Sequence, residues 1–259
     1  MTATALTPSE SSTASPRSRI LSIVRLHFVN PATIIVVPLA ILAAMFVVTL
    51  ALVAIVSHAA DGEEGVAQSV ARGVQYSGAS FYIFVYMMVV AIQAMNFSYP
   101  FAMGYGSTRR EFYLGSLLTF GLLSVGYAVL FTVLAGLEEA TGGWWLGGNV
   151  VNTIYFGEGP WYSILLPVLA AFLFFFSAGS ALGAIFVRFK ARGITATLIG
   201  LGFLLVGGAA VITFADAWPA VGELLVGLGF QGAYLMLAVI AVPVAAAGWL
   251  VLRRSTPRS

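Results

Sequence analysis

The chain has 259 residues, 60% of them hydrophobic and only 8% charged, with 12 Lys and Arg against 10 Asp and Glu for a formal net charge of +2. Soluble domains carry about 25% charged residues, so an ordinary water-soluble fold is excluded. Cysteine is absent, which removes disulfides, thiolate metal sites and a cysteine nucleophile.

Residues 1–16 are rich in Ser, Thr and Ala without periodicity and read as a disordered tail; residues 17–259 read as one membrane domain. In Arg17–Asn30, Ile20, Leu21, Val24 and Phe28 recur at helical spacing beside Arg25, which predicts a short amphipathic helix in the headgroup plane. Pro31 suits the start of the first span, where a missing N–H costs nothing. A crossing takes roughly 20 apolar residues. Six runs qualify: Ala32–Ser57, Ser80–Met103, Tyr113–Gly136, Tyr162–Val187, Gly193–Ala215 and Phe230–Leu252. Ser57-His58-Ala59 resembles a signal cleavage site, but the run before it is too long for a signal peptide.

The basic residues alternate along the chain. Arg17, Arg19 and Arg25 precede the first run, Arg109 and Arg110 follow the second, Arg188, Lys190 and Arg192 follow the fourth, and Arg253, Arg254 and Arg258 follow the sixth. Only Arg72 breaks the pattern. Because cytoplasmic loops retain Lys and Arg, the expectation is an all-α, polytopic protein with six transmembrane helices and both termini cytoplasmic. These cations lie beside apolar runs, where they face headgroups rather than nucleic acid.

The loops carry further signals. His58–Gly78 is external and acidic, with Val66, Val70 and Val74 hinting at helical turns. Leu137–Trp161 holds Trp144, Trp145, Tyr155, Phe156 and Trp161, which suit an interfacial aromatic belt. Arg188–Arg192 is a very short turn, so the spans on either side should be antiparallel neighbours. Asp216–Gly229 is too short to cross but apolar enough to dip into the outer leaflet. Gly179 and Gly183 form a GxxxG in the fourth span, and Ala196, Gly200, Gly207 and Gly208 give the fifth span small faces. Such residues let helices approach closely, chiefly within the chain's own bundle.

Chemistry is sparse. No Asp, Glu, Lys, Arg or His falls at the middle of any span, so a proton relay has no carrier. HExxH is missing, and so is GxxxxGK[ST]; the single lysine, Lys190, follows Phe189. No enzymatic activity and no cofactor are expected of this chain alone.

Two segments stand out. In Gly104–Gly115, Ser107 is a plausible N-cap for a helix that presents Arg109, Arg110 and Glu111, with Phe112 and Tyr113 at the membrane face. The bland reading is a positive-inside anchor; the sharper one is a docking peg for a cytoplasmic partner. In the second span Tyr82, Tyr86, Gln93, Asn96 and Pro100 fall near one helical face. They would either bond between helices or line a substrate groove. Thr195, Thr197 and Thr213 in the fifth span are weaker candidates, because a helix satisfies threonine internally.

Six spans, a preceding amphipathic helix, a Gly-x-(Ser/Thr)-Arg-Arg-x-(Phe/Tyr) segment after the second span and a dipping segment before the sixth together resemble type-2 ABC transporter permeases. By that resemblance Gly106, Ser107, Thr108, Arg109, Arg110, Glu111 and Phe112 would form the coupling loop that docks a separate cytoplasmic ABC ATPase subunit. A second permease subunit, identical or homologous, would complete the unit in the cell membrane, and export would be the direction. An ion-gradient carrier and a non-transporting scaffold or enzyme stay open as alternatives.

Overall fold

The computed structural model describes residues 16–59, 69, 73–74, 76, 81–147, 150–157 and 159–255. The N-terminal tail and most of the His58–Gly78 loop, including Val66 and Val70, lie outside the described residues. The described chain is all-α. Helix α1 spans Pro16–His27, a π-helical segment Ala32–Val36 leads into α2 (Val37–Ala59), and α3 (Tyr82–Gly104) and α4 (Arg109–Ala140) follow. Short turns at Gly143–Gly147, Ile154–Phe156 and Trp161–Ile164 lead into α5 (Leu165–Phe214) and α6 (Trp218–Leu252). Among the described residues, five helices are long and apolar enough to cross a membrane, which makes this a polytopic membrane protein.

Where the sequence predicts separate fourth and fifth spans, helical hydrogen bonding in α5 carries on through the basic turn. The continuity is formal, because the backbone breaks at Lys190 (φ 59°, ψ −152°). A Cβ added to Gly193 would lie 2.9 Å from Ile185 Cγ2, whereas eight residues of straight helix rise about 12 Å. The second half therefore folds back on the first. The halves, 165–189 and 191–214, each exceed the roughly 20 residues that one crossing takes. That backbone region is nearly glycine-only and costs about 1–3 kcal/mol elsewhere. The second break, at Gly229 (φ 61°, ψ −178°), uses glycine and separates residues 218–228 from the rest of α6.

Packing centres on α3, α4 and the first half of α5. Gly179 and Gly183 bring α5 down onto α3: a Cβ at Gly179 would sit 2.5 Å from Met88 O, and one at Gly183 2.6 Å from Met95 Cβ. The matched order of these contacts makes the two helices parallel. Against α4, Phe120 stacks on Phe176 (5.1 Å) and Tyr127 meets Phe172 (5.3 Å), an antiparallel pairing. Phe84 of α3 closes the cluster, 4.7 Å from Phe172. Helix α6 joins through Gly248, whose Cβ would lie 2.9 Å from Ala181 Cα, and through the Tyr113 hydroxyl, which donates to Ala245 O at 2.6 Å.

Helix α2 rests on this core mainly by its first turns. Val37 N–H donates to Ala32 O in the π pattern. Pro38 has no N–H to offer the carbonyls of Thr33 or Ile34. Hydroxyls from neighbouring helices take its place: Tyr86 donates to Thr33 O (3.3 Å) and Tyr127 to Ile34 O (2.7 Å), while Tyr82 donates to Pro38 O (2.8 Å). Neighbouring helices thus satisfy a broken backbone at membrane depth.

Candidate functional site

The connection between α3 and α4 is built from two backbone motifs laid end to end. Gly106, in the left-handed region (φ 77°), ends α3: its N–H donates to Met103 O and Ser107 N–H donates to Ala102 O. That is a Schellman stop. Helix α4 then starts at once. The N-cap is Thr108 rather than the expected Ser107, because Thr108 Oγ1 accepts from Glu111 N–H (3.2 Å) while Thr108 N–H donates to Glu111 Oε2 (2.8 Å). This reciprocal capping box leaves a tight, rigid corner with Tyr105, Gly106, Thr108 and Arg110 exposed at its tip.

The other side chains of the corner turn inward. Arg109 donates from Nη1 to Arg253 O (2.9 Å), capping the end of α6 with a cation. Glu111 Oε1 pairs with Arg19 of α1 at 3.8 Å. Phe112 is fully buried, edge-on to Tyr99 at 5.4 Å. Tyr99 in turn hydrogen-bonds the buried Ser255 hydroxyl (3.0 Å) just beyond α6. The corner is therefore fastened to the first helix of the chain and to the last.

Helix α1 lies against α4 where Gly115 leaves room, since a Cβ there would meet Ile23 Cβ at 2.6 Å. His27 is buried in that contact, its Nε2 2.9 Å from Ser116 Oγ, with the rings of Phe112 and Phe120 about it. Burial pushes its imidazole down from 6.5 to about 4, so it is neutral at physiological pH.

The four residues expected along a substrate pathway divide into two pairs. Tyr82 and Tyr86 are committed to carbonyls of the first span. Gln93 is exposed and Asn96 half-buried, and neither has a hydrogen-bond partner among the described residues. Gln93 lines a cleft of about 370 Å³ between α3 and the α1–α2 junction, which it shares with His27, Asn30, Thr33 and Ser98. Thr195, Thr197 and Thr213 each donate to the carbonyl four residues back.

At the opposite end of the bundle sits a carboxylate that no sequence motif singles out. Glu138 is 1% exposed and accepts four hydrogen bonds. Trp144 Nε1 (2.8 Å) and the N–H groups of Val150 (2.7 Å) and Val151 (2.9 Å) donate to Oε2, and Asn152 N–H (2.8 Å) donates to Oε1. The loop it gathers has two consecutive left-handed residues, Trp144 and Trp145 (φ 57° and 61°). Trp144 lies edge-on to Phe46 of α2 at 4.6 Å, so this indole closes a cap over the bundle rather than only marking an interface. One signal does exist in the sequence: Phe131, Ala135 and Glu138 follow helical spacing on the buried face of α4.

No group of three or more His, Cys, Asp or Glu side chains that could hold a metal occurs among the described residues. Comparison with protein-family models, with curated proteins and with solved structures finds no match to this chain.

Proposed function

We propose that this chain is the permease subunit of an ABC-type exporter. It crosses the cell membrane six times with both termini cytoplasmic, α5 contributing two crossings on either side of Lys190. It passes a hydrophobic or amphipathic substrate, and a separate cytoplasmic ATPase supplies the energy. The observation that carries this reading is the α3–α4 corner. A surface used only as a positive-inside anchor has no need of a Schellman stop abutting a capping box, nor of bonds to both α1 and α6. A body that receives a mechanical push needs stiffness and attachment. Glu111–Arg19 would pass a displacement to α1, and Arg109–Arg253 would pass it to α6.

In this reading Gly106, Ser107, Thr108 and Arg110 meet the ATPase, while Arg109, Glu111 and Phe112 hold the peg in place. Gln93 and Asn96, polar and without partners at span depth, border the pathway at the junction with a second permease subunit, because polar side chains in a span face a cavity or another helix rather than lipid. Absence of a phosphate-binding loop, and of titratable groups at mid-span, supports an external source of energy.

Arg110→Glu tests the docking role without touching a bond in the fold. The ATPase that co-purifies from native membranes in mild detergent should fall by about tenfold or more, while insertion and yield of the permease stay unchanged. Retention of the ATPase would refute the docking role. Uphill solute movement by the purified chain alone, driven by a sodium gradient, would replace this reading with an ion-gradient carrier.

A further inference from the structure

A second groove, separate from the Gln93 cleft, opens beside the exposed tip of the α3–α4 corner. It runs between α4, the first half of α5 and α6, and Arg110 is the sole charged side chain on its wall. Ala238, Ala241, Ala245 and Ala246 of α6 form a shallow floor, and Leu114 and Leu117 of α4 form one side. Trp249 and Tyr113, with ring centroids 5.8 Å apart, stand near the end that carries Arg110.

The dimensions identify an occupant. On α6 the lining runs from Ala238 to Trp249, about 16 Å of helix. Half of the hydrocarbon core is about 15 Å thick, so the groove is about as long as one leaflet is deep. It holds about 490 Å³, an average section of about 30 Å² over that length. A helix about 10–12 Å across has a section of roughly 80–110 Å² and runs the whole thickness of the membrane. The groove is narrower and shorter than a transmembrane helix, and its section suits a single acyl chain.

The charge agrees with the shape. Arg110 is exposed and has no hydrogen bond or ion pair among the described residues. Its guanidinium stands at the interface end, beside the aromatic pair, where a planar fork of donors suits a phosphate. From these dimensions and this charge we infer that the groove holds one acyl chain of an anionic phospholipid from the leaflet at the basic end of the bundle, with the headgroup phosphate on Arg110. Burial of that chain against alanine and leucine comes at little cost, since lipid tail and groove wall are equally apolar; the guanidinium supplies the selectivity. Arg110 is also on the surface proposed to meet the ATPase, so the lipid is tested on the chain alone, without the ATPase, and its failure leaves the docking test by co-purification standing.

Quenching of Trp249 tests it on the full chain. The protein is placed in phosphatidylcholine nanodiscs containing a small mole fraction of brominated phosphatidylglycerol, or of brominated phosphatidylcholine. Subtracting the signal of Trp249→Phe isolates the tryptophan in the groove. Phosphatidylglycerol should half-saturate the quenching at a mole fraction about fivefold lower than phosphatidylcholine, the selectivity of one cation at a membrane surface. Arg110→Gln should bring the two lipids to parity, and Ala246→Phe should weaken quenching by both. Equal quenching by the two lipids in the native chain would mean unselective boundary lipid and overturn the inference. Failure of both to quench Trp249 would mean that protein covers the groove, and would overturn it too.

Discussion

The two halves of α5 carry the same kind of residue to opposite ends. Gly179 and Gly183, before Lys190, are closed in by Met88, Ala91, Ile92 and Met95 of α3. Beyond Lys190, Gly200, Gly202, Gly207 and Gly208 have nothing within 4 Å of where a Cβ would stand. Nearly every residue from 198 to 214 is exposed, including Phe203, Leu204, Leu205 and Val206. Hydropathy does not separate the halves, since apolar side chains suit a packed core and a lipid surface alike. The difference lies in the neighbour: the first half has α3, α4 and α6 around it, the second only its own hairpin partners. Small residues on an apolar helix therefore show where close approach is allowed, and not where it occurs.

Matched substitutions would sharpen that contrast most. Gly179→Leu should separate α5 from α3 and cost about 3 kcal/mol or more, read as a collapse of the thermal midpoint in detergent. Gly207→Leu should stay within about 0.5 kcal/mol of the parent. Equal effects from the two would break the distinction.

The next largest effect belongs to the cap over the packed side. Glu138→Ala would leave three backbone N–H groups and an indole N–H without their acceptor, at a cost of about 2–3 kcal/mol. Hydrogen exchange should speed up at Val150, Val151 and Asn152 while the amides of Gly115–Leu123 stay protected. Uniform change along α4 would show that Glu138 supports the whole helix instead of the loop.

The smallest effect is at the other end, where α1 docks. The buried His27 titrates at about 4 against 6.5 when exposed. Between those values the undocked form binds a proton that the docked form refuses, so docking is fully stable above pH 6.5, weakens as pH falls toward 4 and levels off below. Exchange of α1 amides, corrected for intrinsic rates, should rise from pH 7 to 4.5. His27→Gln should flatten that profile, and an unaltered profile would exonerate the histidine.

Legibility followed the range of the interaction. The long apolar helices, the amphipathic α1 and a helix start just after Gly106 were readable because composition, periodicity and capping chemistry act within a few residues. The α3–α4 corner was visible as Gly-Ser-Thr-Arg-Arg-Glu, although the cap moved by one residue, since two hydroxyls in succession compete for one role. Tyr82 and Tyr86 could not be told from pathway residues, because their partners are carbonyls of the first span, Pro38 O and Thr33 O, more than forty positions away. Glu138 escaped for the same reason: its four donors come from a loop whose path no local pattern specifies.

By itself, the order of residues determined that this protein lives in a membrane, that its segments are helices and which ends of them are basic. These are properties of solvent transfer and of hydrogen bonding within a turn or two. Only the tertiary structure decided which glycines touch a neighbour, that Arg109 points inward while Arg110 is left free, and that an apolar groove between α4, α5 and α6 opens beside Arg110. Each of those depends on the crossing of helices distant in sequence, where packing geometry chooses among faces that look alike in the string of letters.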